Sequence, residues 1–269
     1  MWRRAFLILA KRIETRVIDT HCHLDFPVFD ADRDAVWARA RAVGVRGLVI
    51  PGVTLAGFER IVGLRGPGCE IALGLHPVFL ADHPEDGLAR LEGWLRGVVP
   101  LAVGEIGLDH LLPPETHAVQ AVLFEAQLRL AMAFDRPVLL HVRRAHDPVV
   151  ALLKRLKFPC GGIVHAFGGS LEQARDYIRL GFCLGMGGVV TRERATRIRQ
   201  VAAAVDETAL VLESDAPDLP PVSRYWQRNE PACLAEVVET LAGLRGVAVE
   251  GLIAATTRNA RRVLNWREG

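Results

Sequence analysis

Six side chains in this 269-residue chain have the types and placement to cage divalent cations: His21, His23, Glu105, His141, His165 and Asp215. His21 and His23 stand in THCH, and on extended backbone residues two apart project from one face. Cys22 between them then points the other way. Four imidazoles and two carboxylates suit a borderline divalent ion and are enough for two. A carboxylate has lone pairs on both oxygens, so it can bridge two ions. Glu105, central in chain order, is the natural bridge. His76, in GLHP, is a fifth histidine of the same kind. The set is full without it, and contact with substrate or proton donation is its expected part. Asp109, in GLD, is placed to orient a neighbouring ligand or to cap a loop. His83, His110, His117 and His146 fall in loops or helix starts and read as solvated.

These residues need a scaffold that gathers positions up to 194 apart. Short apolar runs near 16–20, 47–51, 70–75, 101–105, 137–141, 162–165, 182–185 and 210–213 read as strands. Amphipathic runs between them read as helices near 32–43, 55–64, 87–97, 114–134, 148–156, 171–180 and 192–205. Two more, 231–244 and 249–266, close the chain. In 114–134, Val119, Val122, Leu123, Ala126, Leu130 and Ala133 form the expected core face, with Gln120, Gln127 and Arg129 off it. Strand–helix alternation predicts a parallel sheet. Eight units in one domain over 15–269 fit a closed (β/α)8 TIM barrel, with an open doubly wound sheet as the other arrangement. All six candidate ligands follow or end strands and none precedes one. A lone histidine at a strand end is ordinarily a core or rim residue, so the shared placement carries the reading. In a parallel barrel those ends share one mouth, where active sites sit.

Composition narrows the classes. Lys plus Arg number 33 against 31 acids, a net charge of +2, so there is no polybasic coat for nucleic acid. Only Lys11, Lys154 and Lys157 are lysines, and none lies at a strand end. Five scattered cysteines without a CxxC read as reduced thiols of a cytoplasmic protein. The apolar stretch at 5–10 is too short for a signal peptide, and no stretch is long enough to span a membrane. Residues 1–14 read as an amino-terminal extension. The glycines of LGMGG at 184–188 follow the seventh strand, where barrels often bind phosphate, although the run is weak as a motif.

With these residues in place, the chain resembles the TatD family of metal-dependent deoxyribonucleases, a branch of the amidohydrolase-like barrels. The matching pieces are IDTHCHLDF at 18–26, ALGLHP at 72–77, VGEIGLD at 103–109, PVLLHVRRAHD at 137–147, GIVHAFGGS at 162–170 and LESDAP at 212–217. NEP at 229–231 and TTRNARRVL at 256–264 extend the match almost to the end. The resemblance implies a two-metal barrel. One ion would be held by His21, His23, Glu105 and Asp215, the other by Glu105, His141 and His165. His76 matches a position that helps to bind the scissile phosphate. Val142, Ser214 and Glu230 depart from residues frequent in the family; none is an implied ligand, so they bear on substrate preference.

The expected chemistry is hydrolysis of DNA phosphodiesters, exonucleolytic in mode, by water activated on two divalent ions, Mg²⁺, Mn²⁺ or Zn²⁺. Asp215 would orient the water and take its proton, while His76 and Arg143 would stabilise charge on the phosphoryl oxygens. Arg144, Arg192, Arg224 and Arg228, with Phe26, Phe167, Tyr225 and Trp226, are candidates for tracking a single-stranded or frayed end. The expected assembly is a monomer or weak oligomer. A second enzyme reading is a two-metal ester or amide hydrolase, such as an aminoacyl-tRNA esterase or lactonase. The third, from another class, is a non-catalytic metal-binding barrel.

Overall fold

The computed structural model describes residues 16–267, so the expected extension at 1–14 lies outside the described residues. Strands and helices alternate: β1 (Val17–Asp19), α1 (Arg33–Ala42), β2 (Val45–Pro51), α2 (Phe58–Leu64), β3 (Cys69–Leu73) and α3 (Gly87–Val98). There follow β4 (Ala102–Asp109), α4 (His117–Ala133), β5 (Val138–Arg143), α5 (His146–Leu156), β6 (Gly162–Val164) and α6 (Leu171–Arg179). The chain ends with β7 (Phe182–Met186), α7 (Thr196–Ala204), β8 (Leu210–Leu212), α8 (Leu234–Arg245) and α9 (Val249–Val263). Each strand pairs in parallel with the next, in the order β1 to β8. Thr20 N–H donates to Leu212 O, and Asp215 N–H to His21 O, both at 2.9 Å. These bonds join the last strand to the first and decide for the barrel over the open sheet.

The barrel interior takes one apolar side chain from every strand: Ile18, Val49, Ala72, Ala102, Leu139, Ile163, Cys183 and Val211. Ala260 and Val263 of α9, with Leu264, floor this layer. A second apolar layer, including Phe29, Phe58, Leu91, Phe124 and Tyr177, fills the space between strands and helices. The plug closes one end, so the open mouth is left to polar side chains.

Two strands run further than expected. β4 continues to Asp109 and β5 to Arg143, because Ile106 to Asp109 stay paired with Leu140 to Arg143. Glu105 and His141 therefore lie inside strands, not at their ends. The register shifts between Val103 and Ile106, a bulge that re-aims the side chain within it. That irregularity presents Glu105 to the mouth.

The expected core face of α4 is wrong. Val119 and Val122 are 57% and 70% exposed, whereas Gln120 and Gln127 are fully buried with Phe124, Leu128 and Ala131. Hydrogen bonding overrides hydropathy here. Gln127 Oε1 accepts from Leu75 N at 2.7 Å and its Nε2 donates to Leu75 O at 3.0 Å. Gln120 does the same for Asp109, accepting at 2.8 Å and donating at 3.0 Å. Each amide stands in for a missing strand neighbour. Gln127→Leu keeps the volume and strands both backbone groups of Leu75, so we expect a loss of about 2–4 kcal/mol in urea unfolding. A loss below about 0.5 kcal/mol would show that water replaces the amide.

The five cysteines are unpaired, with Cys22, Cys69 and Cys183 buried and Cys160 and Cys233 half-buried. No helix among the described residues is long and apolar enough to cross a membrane.

Candidate metal centre

The turn after β1 sets the first two ligand candidates. The carboxylate of Asp19 accepts from His21 N at 3.2 Å and from Ser214 N at 2.9 Å, tying this turn to the one after β8. Cys22 N–H donates to Val49 O, and its thiol enters the outer apolar layer. His21 and His23 thus face the mouth together, with their Nε2 atoms 3.3 Å apart.

Glu105 lies at the centre of the cluster. Its Oε2 is 3.1 Å from His21 Nε2 and 3.6 Å from His23 Nε2. Its Oε1 is 3.0 Å from His141 Nδ1, 3.3 Å from His76 Nε2 and 4.0 Å from His165 Nε2. Asp215 Oδ1 approaches His165 Nε2 at 3.5 Å, and both His21 and His23 at 3.8 Å. All six expected side chains converge. Three overlapping donor groups result: His21, His23 and Glu105; His21, His165 and Asp215; His76, Glu105 and His141. The division implied by the resemblance is therefore not drawn sharply. His165 stands between both halves, and His76 joins the cluster.

The partners of each ring show which nitrogen is left with a lone pair and which carries the proton. Val78 N–H donates to His76 Nδ1 at 3.1 Å, which leaves the ring proton on Nε2. A protonated Nε2 cannot ligate, so His76 faces Glu105 as a hydrogen-bond donor. His141 is the reverse case. Its Nε2 lies 3.0 Å from Asp109 Oδ2, which holds the proton there and frees Nδ1 towards Glu105. Asp109 also accepts from Leu111 N at 2.8 Å, so it both orients the His141 ring and caps its loop.

The donor set fits cations. Ligands of a tetrahedral ion with ~2.0–2.1 Å bonds lie roughly 3.3 Å apart, close to the spacings around Glu105 Oε2. Electrostatics agree. Burial works against charge on His165, but the carboxylates of Asp215, Glu213 and Glu105 outweigh it and lift its pKa to about 10. His141 also rises despite burial, through Asp109 and Glu105. Glu105 stays well below the usual carboxylate range, since its histidines overcome the cost of burying it. Positive charge is favoured on His141 and His165, whereas burial and the neighbouring His21 hold His23 well below the usual imidazole range.

Other expectations meet correction. His146 is not solvated: it is buried against Phe167 and Tyr177, with centroids 5.2 and 5.8 Å away, and burial lowers its pKa to about 4. His110 and His117 are half-buried and stacked at 4.0 Å, and His83 bonds to His76 O at 2.9 Å. Phe167 is buried, so it offers no stacking face. Arg224 and Arg228 pair with Glu230 and Asp32. Glu230, one of the departures from the family pattern, also takes Arg39 at 2.7 Å. Arg192 lies over the Tyr225 ring at 4.9 Å. Glu213, outside the candidate set drawn from the sequence, is fully buried with Oε1 3.1 Å from His165 Nδ1. Its position two residues before Asp215 was the available signal.

The cluster floors a cavity of about 580 Å³ whose walls include Phe26, Val78, Phe79, Val142, Val189 and Leu219. Among the described residues, Arg143, exposed at the rim, is the one arginine that lines it. The model of the family described as TatD related DNase matches residues 18–265. The chain belongs to the TatD family. It is 39% identical over 254 residues to the uncharacterized metal-dependent hydrolase YjjV of Escherichia coli K12, covering 93% of this chain and 98% of the relative. The crystal structure of that TatD homologue superposes with a TM-score of 0.91 at 38% identity, covering 95% and 100% of the two chains. A Cronobacter sakazakii protein named 3′-5′ ssDNA/RNA exonuclease TatD is 36% identical over 245 residues, covering 87% of this chain and 92% of that one. This TatD-family chain is accordingly a metal-dependent hydrolase.

Proposed function

We propose that the chain cleaves phosphodiester bonds at single-stranded or frayed DNA ends, exonucleolytically, with two divalent ions (Mg²⁺, Mn²⁺ or Zn²⁺) in its mouth. His21, His23, Glu105 and Asp215 would hold one, and Glu105, His141 and His165 the other. The observation that carries the reading is Glu105, whose two oxygens face separate donor sets. The name of the Cronobacter relative supports the polymer substrate.

Bound ions supply Lewis acidity, which activates water at neutral pH and stabilises charge on phosphoryl oxygens. Asp215 accepts the proton of the attacking water at its carboxylate, whose pKa burial lifts to about 6 despite His165 and His21. His76 stays neutral because burial lowers its pKa; its Nε2–H, which faces Glu105 Oε1 at 3.3 Å, would turn to a phosphoryl oxygen once cations occupy the Glu105 oxygens. Arg143 binds the same group from the rim through its forked donors. The cavity has room for one small ligand, which favours a strand end over a long duplex. Beyond it, Trp226, 91% exposed, and Tyr225 offer stacking faces on the segment after β8.

A second reading, a small ester or lactone hydrolase, is favoured by the apolar cavity wall, in which Arg143 is the one arginine among the described residues. The two separate in one assay. Single-stranded DNA labelled at the 3′ or 5′ end is digested with Mg²⁺, Mn²⁺ and Zn²⁺ beside a panel of aminoacyl esters and lactones. We expect stepwise loss from one labelled end. Turnover of esters with intact oligonucleotides would reject the nuclease and select the second reading.

A further inference from the structure

Gly185, the first glycine of the run at 184–188, is explained by a carboxylate of the protein itself. A Cβ placed on Gly185 in β7 would lie 2.1 Å from Glu213 Oε2, 2.4 Å from its Cδ and 2.7 Å from Oε1. The Glu213 carboxylate thus rests directly on the bare Cα of Gly185. From there Oε1 accepts from Ala166 N at 2.5 Å and faces His165 Nδ1 at 3.1 Å, off the straight line of the ring N–H. Glu213 follows β8, Gly185 lies in β7 and His165 follows β6, so three successive barrel units meet at this contact.

We propose that Gly185 and Glu213 form a seat for His165: the glycine makes room for the carboxylate, and the carboxylate holds the Nδ1 edge, so that Nε2 faces Asp215 and Glu105. Glu213 is a positioning residue and touches no substrate. The consequence for ion binding rests on the two-metal reading, whereas the seat itself does not. Outer partners of ligating histidines fix ring orientation and proton position, and their loss costs roughly 10–100-fold in metal affinity. No other residue type fits at 185, since even a methyl group overlaps the carboxylate.

The test is a double-variant cycle on the full chain with Gly185→Ala, Glu213→Ala and the pair. The readouts are the His165 ring ¹⁵N and Nδ1–H signals, with and without Zn²⁺, and Zn²⁺ affinity by competition with a chromophoric chelator. Each single variant should lose the exchange-protected Nδ1–H signal and bind one Zn²⁺ equivalent roughly 10–100-fold more weakly. The pair should match Glu213→Ala alone, because the methyl group then has nothing to strike. If Gly185→Ala does not fold by itself, recovery of a folded protein in the pair gives the same support. Additive losses, or single variants with wild-type ring signals, overturn the seat. A wild-type protein that takes up no Zn²⁺ would overturn the two-metal reading instead, and the ring signals would still decide on the seat.

Discussion

Glu105→Gln is expected to lower hydrolysis by on the order of 10³-fold and to empty both halves of the centre of metal. The cause is geometric. Oε2 serves His21 and His23, while Oε1 serves His141 and His76. A glutamine keeps the shape but offers one acceptor oxygen and no charge. Its NH₂ must face one of the two histidine sets, and a donor cannot ligate. The change also removes the carboxylate that helps to raise His141 and His165, so positive charge is less welcome in the whole cluster. The backbone is spared, since Glu105 N still donates to Gly52 O at 2.8 Å. His23→Asn makes the contrast: it touches one half only and should leave the other loaded. Atomic emission on dialysed protein, with turnover at saturating Mn²⁺, checks both. Full metal content and turnover within about tenfold of wild type would take Glu105 out of the bridge.

The legible part of this molecule was the part governed by alternation and by strand ends. His21 and His23 were readable because a two-residue repeat on extended backbone fixes a face. His165 and Asp215 were readable because apolar strands do not lead into such groups without cause, and His141 because it interrupts the apolar run of β5. The illegible parts have one common source: polar side chains that bury themselves to serve another group. Gln120 and Gln127 look like the outer face of α4, yet they satisfy the backbone of Asp109 and Leu75. His146 looks like a solvated helix start, yet it packs on Phe167 and Tyr177. Glu213 and Gly185 are separated by 28 positions and acquire meaning only where β7 and β8 lie side by side. Hydropathy assigns Gln120, Gln127 and His146 to the surface because it scores a side chain alone. Their partners are long-range and exist only after the barrel closes. The bulge at Glu105 was hidden for the same reason, since a register shift belongs to two strands and is written in neither.

Asp215→Asn separates proton transfer from ion binding, and the expected result is a loss of roughly 10²–10⁴-fold in turnover. Metal should largely remain, because Glu105, His141 and His165 are untouched and asparagine keeps one acceptor oxygen. The pH dependence carries the sharper signature. Burial lifts the Asp215 pKa to about 6, so below that pH a proton occupies the oxygen that a cation needs. Affinity of the wild type for the ion on this side should therefore fall as pH drops through about 6 and level off above it. The asparagine variant has no such proton and should lose this part of the dependence. His165 gives a second sign. With its pKa lifted to about 10, it carries a proton at pH 7 that a ligated cation must displace, so loading releases acid. Asp215 is the leading carboxylate among those that hold this proton, so the variant should release less of it. Calorimetric titration with Zn²⁺ in two buffers of different ionisation enthalpy measures the difference. Equal proton release in both proteins, or unchanged turnover in the variant, would leave Asp215 without the part assigned to it and place the acceptor elsewhere in the mouth.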